Sequence, residues 1–213
     1  MITLFDYRPS QNAYKVRLLL NHLGIAYRTQ WISIFEGEGR SADYLRINPT
    51  GTVPAIRLDD GRVLAESNAI LGFLADGTRY LPADAFGRAK AWQWMSFEQE
   101  RIESTLGALR HWTLTGKLAR RSPELIAMKR SGALRALAIL DAELAARPFL
   151  LGADYTIADM SMFAYTSRAE EAGISLQPLA ALRAWIARVK EQPGFLDAVH
   201  LYAEDPHSSR ELP

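Results

Sequence analysis

The sequence predicts a small α/β unit followed by an all-helical unit. Three observations carry that prediction. Residues 1–78 read in the order β-α-β, loop, β-β-α; the composition changes at Tyr80-Leu81-Pro82-Ala83-Asp84; and the chain beyond holds helical periodicity without a convincing strand.

The first strand is Ile2 to Asp6, where apolar and polar residues alternate. Arg8-Pro9-Ser10-Gln11-Asn12 punctuates it, and a helix follows with Val16, Leu19, Leu20 and Leu23 at i, i+3, i+4, i+7. Ser10 or Asn12 suits its N-cap, and Gly24 its C′ position. Tyr27 to Ile32 reads as a second strand, and strand-helix-strand implies a parallel pair with a right-handed crossover. Ser33 to Gly51 is loop-like, with a short helix around Ser41 to Arg46. Asp60-Gly61, between Ile56-Arg57-Leu58 and Arg62-Val63-Leu64, predicts a two-residue hairpin and hence an antiparallel pair. Glu66-Ser67-Asn68 opens a helix running to about Asp76.

Residues 79–85 form the linker. The helical unit, 86–202, begins with one long pattern over 86–113 that carries Trp92, Trp94, Phe97 and Trp112. A second pattern covers 123–146, with Leu137, Leu140 and Leu144 on one face. A third starts at Thr156-Ile157-Ala158-Asp159, where a capping box is expected. A fourth runs from Leu179 to Gln192 with Leu182, Trp185, Ile186 and Val189 inward, and Gly194-Phe195 begins a short last helix. The polar tail, 203–213, is expected to be loose.

Composition narrows the chemistry. A formal charge of +1, with acids and bases interspersed, gives no footprint for nucleic acid. Arg120-Arg121 is the densest basic spot and reads as a solvated helix end or loop. The absence of cysteine excludes disulfides, thiolate metal sites and a cysteine nucleophile, so any thiol chemistry must use a thiol brought in by a ligand. His22, His111, His200 and His207 are scattered without metal-ligand spacing, and no metal is expected. No apolar run nears the roughly 20 residues of a membrane span. The opening Met1-Ile2-Thr3-Leu4-Phe5-Asp6 lacks signal-peptide features, so a cytoplasmic location without a membrane partner is expected.

Four short motifs then fall in order. They are Ser10-Gln11-Asn12-Ala13-Tyr14-Lys15-Val16-Arg17 after the first strand, Asn48-Pro49-Thr50-Gly51-Thr52-Val53-Pro54 before the third, Glu66-Ser67 after the fourth, and Ala158-Asp159 after Thr156. Together they resemble the glutathione transferase family over about residues 1 to 200. The opening motif is most similar to the serine-type, zeta-like classes. The resemblance implies a thioredoxin-like first domain that binds glutathione as co-substrate, an all-α second domain that shapes a pocket for a small apolar electrophile, and a homodimer. Asn12 stands where the zeta-like loop has cysteine, which argues against the isomerase chemistry of that class. The lack of cysteine argues against classes that form a mixed disulfide with glutathione.

The thiolate is the nucleophile, and a free thiol is only a few per cent ionised at neutral pH. A hydroxyl donor at a helix N-terminus favours the anion. Ser10 has both features and falls in register with the catalytic serine, though it also reads as a plain N-cap. Tyr7 is the rival, near the phenol of tyrosine-type members but about one residue out of register; it can instead line the electrophile pocket. Asn12 can donate to the sulfur or serve as a turn residue.

The resemblance implies a cis bond at Val53-Pro54 that turns the Val53 backbone, next to Thr52, toward the cysteinyl backbone of glutathione. Ser67 at a helix start suits the γ-glutamyl carboxylate and Glu66 the ammonium; both also read as a capping pair. Arg40 is the candidate for the glycyl carboxylate. Trp112 and His111 fall where the family holds its electrophile, and each also reads as packing. Asp159 reads as a structural helix cap. The resemblance leaves two other uses open: a non-catalytic binding or regulatory protein, and a glutathione-dependent isomerase, dehalogenase or peroxidase.

Overall fold

The computed structural model describes residues 1–197 and 200–212. The chain forms two compact units, Met1–Asp76 with Pro193–Pro213, and Gly77–Gln192.

In the first unit, β1 (Ile2–Asp6) pairs parallel with β2 (Tyr27–Trp31) and antiparallel with β3 (Ala55–Arg57). β3 pairs antiparallel with β4 (Val63–Ala65), which gives the order β2-β1-β3-β4. The crossover from β1 to β2 is α1 (Gln11–His22). Gly24, at a φ of 64°, ends that helix as expected.

The period-2 alternation of strands divides the apolar residues between two faces. Leu4 and Ile56 are register partners, and they pack with Val16 and Leu20 of α1 and with Ile70 of α3 (Ser67–Ala75). Phe5 and Ala55 face the other way, toward Ile32 and Tyr44 of the short α2 (Ala42–Leu45). Each fully buried large side chain contributes about 1.5–3 kcal/mol relative to exposure, which is why this short sheet holds its register.

The hairpin differs from the two-residue expectation. Leu58 N–H donates to the Arg62 carbonyl, so Asp59, Asp60 and Gly61 make a three-residue loop, with Gly61 at a φ of 86°. Asp60 accepts from the Arg62 backbone and side chain, which stabilises the longer loop.

In the second unit the long pattern is one continuous helical run of three parts. These are α4 (Ala85–Phe97), a π-helical stretch (Glu98–Gly107) and α5 (Ala108–Leu114). Ser104 and Thr105 donate their hydroxyls back to the carbonyls of Glu100 and Arg101, competing with the backbone for these acceptors and widening the turns. α6 (Pro123–Leu144) buries Leu137, Leu140 and Leu144, and Ser122 caps its start. α7 (Ile157–Thr166) is almost wholly buried, and α8 (Ala180–Lys190) turns Leu182, Trp185 and Val189 inward, with Ile186 only half-buried. Among the described residues no helix is long and apolar enough to cross a membrane.

The segment after α8 differs from the expected loose tail. It belongs to the first unit, with Asp205 and Ser208 buried and a 3₁₀ turn at Tyr202–Glu204. The short last helix expected from Gly194-Phe195 is not formed over residues 195–197; Ala198 and Val199 lie outside the described residues.

Asp159 ties the helical unit together. Its fully buried carboxylate accepts from Leu150 N–H, Thr156 N–H, the Thr156 hydroxyl and Trp185 Nε1, at 2.9, 3.0, 3.2 and 2.9 Å. Burial pushes this carboxyl up to about 6, against the hydrogen bonds, which favour the anion. The folded state therefore binds this proton more tightly than the unfolded chain does. The corresponding stability is fully present below the ordinary value of 3.8 and is lost as pH rises through about 6. Urea unfolding of wild type and Asp159→Asn at pH 4 and pH 7 tests this: the asparagine chain should lack that pH-dependent component. At pH 7, Asp159→Ala should cost on the order of 3 kcal/mol, because it orphans buried donors.

Candidate functional site

The register brings three of the sequence motifs to one end of the sheet. Phe5, Ala55 and Ala65 lie in a row across β1, β3 and β4. The loop into α1 leaves β1 just beyond that row, Val53-Pro54 enters β3 there, and Glu66-Ser67 leaves β4 there. The N-termini of α1 and α3 meet at this end, where the Ser67 hydroxyl donates to Asn12 Oδ1 at 3.4 Å. Two helix starts bring free N–H groups and positive dipole ends to one place, which suits an anion.

Ser10 is the N-cap of α1. Its Oγ accepts from Ala13 N–H at 3.2 Å. A hydroxyl that accepts still has its own O–H to give, so capping and thiol donation are compatible. The loop before Ser10 is held by a buried ion pair. Arg17 Nη1 lies 2.7 Å from both carboxylate oxygens of Asp6, and its Nη2 donates to the Arg8 carbonyl at 2.9 Å. Sequence reasoning missed this pair. The available signal was one arginine inside the apolar run Val16 to Leu20, just after a strand ending in aspartate.

Tyr7 is placed differently from the expected activator. Its ring is fully buried among Trp31, Phe35 and Tyr202, with centroids 5.0, 5.7 and 6.1 Å away. Its hydroxyl donates to Asp205 Oδ2 at 2.9 Å. Burial and the Asp205 carboxylate raise its pKa strongly, so the phenol stays neutral and committed to Asp205.

Val53-Pro54 is a cis bond, and the β3 ladder starts only at Ala55, so Val53 lies outside it. The buried Asn48 shapes the loop in front. Its amide N–H donates to the Thr52 carbonyl at 2.8 Å, and its Oδ1 accepts from Thr50 N–H at 3.1 Å and the Thr50 hydroxyl at 2.9 Å. The Tyr44 hydroxyl donates to the same Thr52 carbonyl at 2.6 Å. Gly39 and Gly51 touch backbone to backbone, and a Cβ at Gly39 would run into the Gly51 carbonyl. That approach sets Arg40 beside the loop, where its exposed side chain donates to the Thr50 carbonyl at 3.0 Å.

Glu66, not Ser67, is the N-cap position of α3. Its φ of 69° and ψ of 113° lie outside the regions open to L-residues, and it is the one non-glycine residue with positive φ among the described residues. Ser67, buried and first in the helix, presents its hydroxyl beside Asn12.

The helical unit holds the remaining candidates. His111 is half-buried, with Nε2 3.4 Å from the buried Lys117 Nζ. Arg120 is exposed at the end of a 3₁₀ turn, as expected of that basic pair, while the partly buried Arg121 packs its guanidinium over the face of Trp112, 5.2 Å from its centroid. Arg110 is buried and paired with Glu171 at 2.6 Å.

Two stability predictions follow from this geometry. Arg17→Ala leaves Asp6 buried and unpaired and should cost about 3–5 kcal/mol by urea unfolding. Glu66→Gly relieves backbone strain and should gain about 1 kcal/mol over Glu66→Ala, which keeps it.

The chain matches the family model for the glutathione S-transferase N-terminal domain over residues 9–76 and that for the C-terminal domain over residues 123–188. It is 32% identical over 204 residues to the glutathione S-transferase GstB of Escherichia coli (strain K12), covering 91% of this chain and 95% of that protein. It is 28% identical to the disulfide-bond oxidoreductase YfcG of the same organism, covering 91% and 92%. A crystal structure of a glutathione S-transferase from Pseudomonas fluorescens superposes with a TM-score of 0.90 at 34% identity, over 93% of this chain and 99% of that one.

Proposed function

The chain belongs to the glutathione S-transferase family, and we propose that it binds glutathione at the end of the sheet and activates its thiol for attack on a small apolar electrophile. The observation that carries this reading is the meeting of two helix N-termini, one bearing the Ser10 hydroxyl and the other Ser67.

In this reading each part of glutathione meets a complementary group. The γ-glutamyl carboxylate takes the Ser67 hydroxyl and the N–H groups at the start of α3, and Glu66 takes the ammonium. The cysteinyl backbone pairs with Val53 as an added strand would, with Thr52 beside it. Arg40 takes the glycyl carboxylate. The sulfur then lies at the start of α1, where the Ser10 O–H donates to it and Asn12 is a second donor. Both interactions are stronger with the anion than with the thiol, and each unit of lowered pKa needs about 1.4 kcal/mol of that difference. The thiol proton leaves to solvent, the thiolate attacks the electrophilic carbon, and the leaving group departs with the bonding pair.

His111 and Trp112 are the proposed electrophile contacts of the helical unit. That unit also exposes Met128 and Ile139, which line an open cavity of about 790 Å³ together with Phe97 and Ala136 and the charged Glu100, Arg101, Lys129 and Arg135. Exposed apolar side chains ringed by charges of both signs support a homodimer, which sedimentation would register as twice the chain mass.

Calorimetry and turnover of a generic aryl halide test the reading. Wild type should bind glutathione at micromolar to millimolar concentration. Ser10→Ala should retain binding and lose at least 10-fold in kcat/KM, about 1.4 kcal/mol. Ser67→Ala should instead weaken binding. A wild type that neither binds glutathione nor turns over would end this reading.

A further inference from the structure

The described residues after α8 bond to α1 and to the loop before it. The partners on that side fall in number, from His22 to Tyr7, as the segment's own numbering rises. The Pro193 carbonyl meets His22 Nδ1 at 2.9 Å, and the Gly194 carbonyl accepts from Asn21 at 2.8 Å. The Leu196 carbonyl accepts the Tyr14 hydroxyl at 2.7 Å, and Asp205 accepts the Tyr7 hydroxyl at 2.9 Å. At Asp205 the segment meets the residue that opens the loop carrying Ser10.

The two tyrosines bracket Ser10 through the main chain. Ser10 N–H donates to the Tyr7 carbonyl at 2.8 Å, and Tyr14 N–H donates to the Ser10 carbonyl at 3.0 Å. Both backbone groups of Ser10 are thus bonded to residues whose side-chain hydroxyls are fastened to the same segment. Asp205 is itself fixed: it is buried, and its second oxygen accepts from His207 N–H at 2.8 Å. The His207 ring reaches Glu36 at 3.1 Å, and Tyr202 packs on Tyr7 and Phe35. A surface tail would need none of this burial; a strap that sets a loop would.

We infer that this segment is a strap that fixes the conformation of the Ser10 loop, with Asp205, acting through Tyr7, as its main positioning residue. The consequence for thiol chemistry rests on the function proposed above. Tyr7 then acts at one remove: it orients the loop while Ser10 meets the sulfur. With Asp205 removed, Tyr7 loses its acceptor, the turn from Tyr7 to Ser10 loosens, and the Ser10 O–H no longer keeps a fixed direction.

The test uses the full chain and two readouts. The first needs no glutathione: amide hydrogen exchange at Ser10, with Leu4 in mid-sheet as the internal reference. Asp205→Ala should speed Ser10 exchange at least 10-fold and leave Leu4 within 2-fold; Asp205→Asn, which keeps an acceptor, should restore most of the protection. Tyr7→Phe should match Asp205→Ala, and the double variant should be no worse than either alone. The second is the pH profile of kcat/KM for an aryl halide at saturating glutathione, whose acid limb reports the bound thiol and should move up by about one unit in Asp205→Ala. Unchanged Ser10 exchange in both single variants would overturn the inference, whatever the activity. A wild type without glutathione turnover but with the expected exchange response would remove the transferase reading and leave the strap standing.

Discussion

The buried contact between Asp6 and Arg17 is the constraint on which the first unit depends. It joins the end of the central strand to the second turn of the helix that follows, and through the Arg8 carbonyl it fixes the loop between them. A buried ion pair is poor evidence for net stability, because desolvation offsets much of the attraction. Its value here is geometric. With Nη1 held by both Asp6 oxygens and Nη2 by the Arg8 carbonyl, the guanidinium has little freedom, so the start of α1 has one position relative to β1. Ser10 sits at that start, and whatever binds there meets a preorganised donor.

The other walls of the site are set in the same way, by buried polar groups with several bonds each. Asn48 closes the turn before Val53, the contact between Gly39 and Gly51 draws Arg40 to that turn, and the strained Glu66 starts α3 beside Asn12. Backbone strain at Glu66 persists because the sheet and α3 determine its position from both sides. These devices converge at the end of the sheet where two helix dipoles present their positive ends. In the proposed reading, an anionic tripeptide with a thiol would find charge complementarity there at both its acidic and its sulfur groups.

Much of this was legible in the sequence. The order of elements, the parallel and antiparallel pairs, the cap at Ser10 and the capping box of Thr156 and Asp159 follow from local signals, since apolar period, capping residues and glycine positions act over a few residues; the bonds from Leu150 and Trp185 to Asp159 do not. Long-range pairing was not legible. Nothing local joins Tyr7 to Asp205, so a tyrosine near a family activator position read as a rival donor, and a polar segment read as a loose tail. The hairpin at Asp60-Gly61 misled for a different reason. The dipeptide signals a tight turn, but the side chain of Asp60 bonds to Arg62 and draws one more residue into the loop. Periodicity also hides the π-helical stretch, because its two buried large apolar residues, Ile102 and Leu106, are four apart, a spacing that an α-helix also gives.

The central claim is that the start of α1, with Ser10 as its cap, stabilises a thiolate. Ultraviolet titration of the glutathione thiol in the saturated complex tests it most directly. The account predicts a midpoint at least one unit below that of the same thiol free in water, moved back toward the free value by Ser10→Ala. A bound thiol that titrates as it does in water, in a complex shown by calorimetry to be saturated, would contradict it.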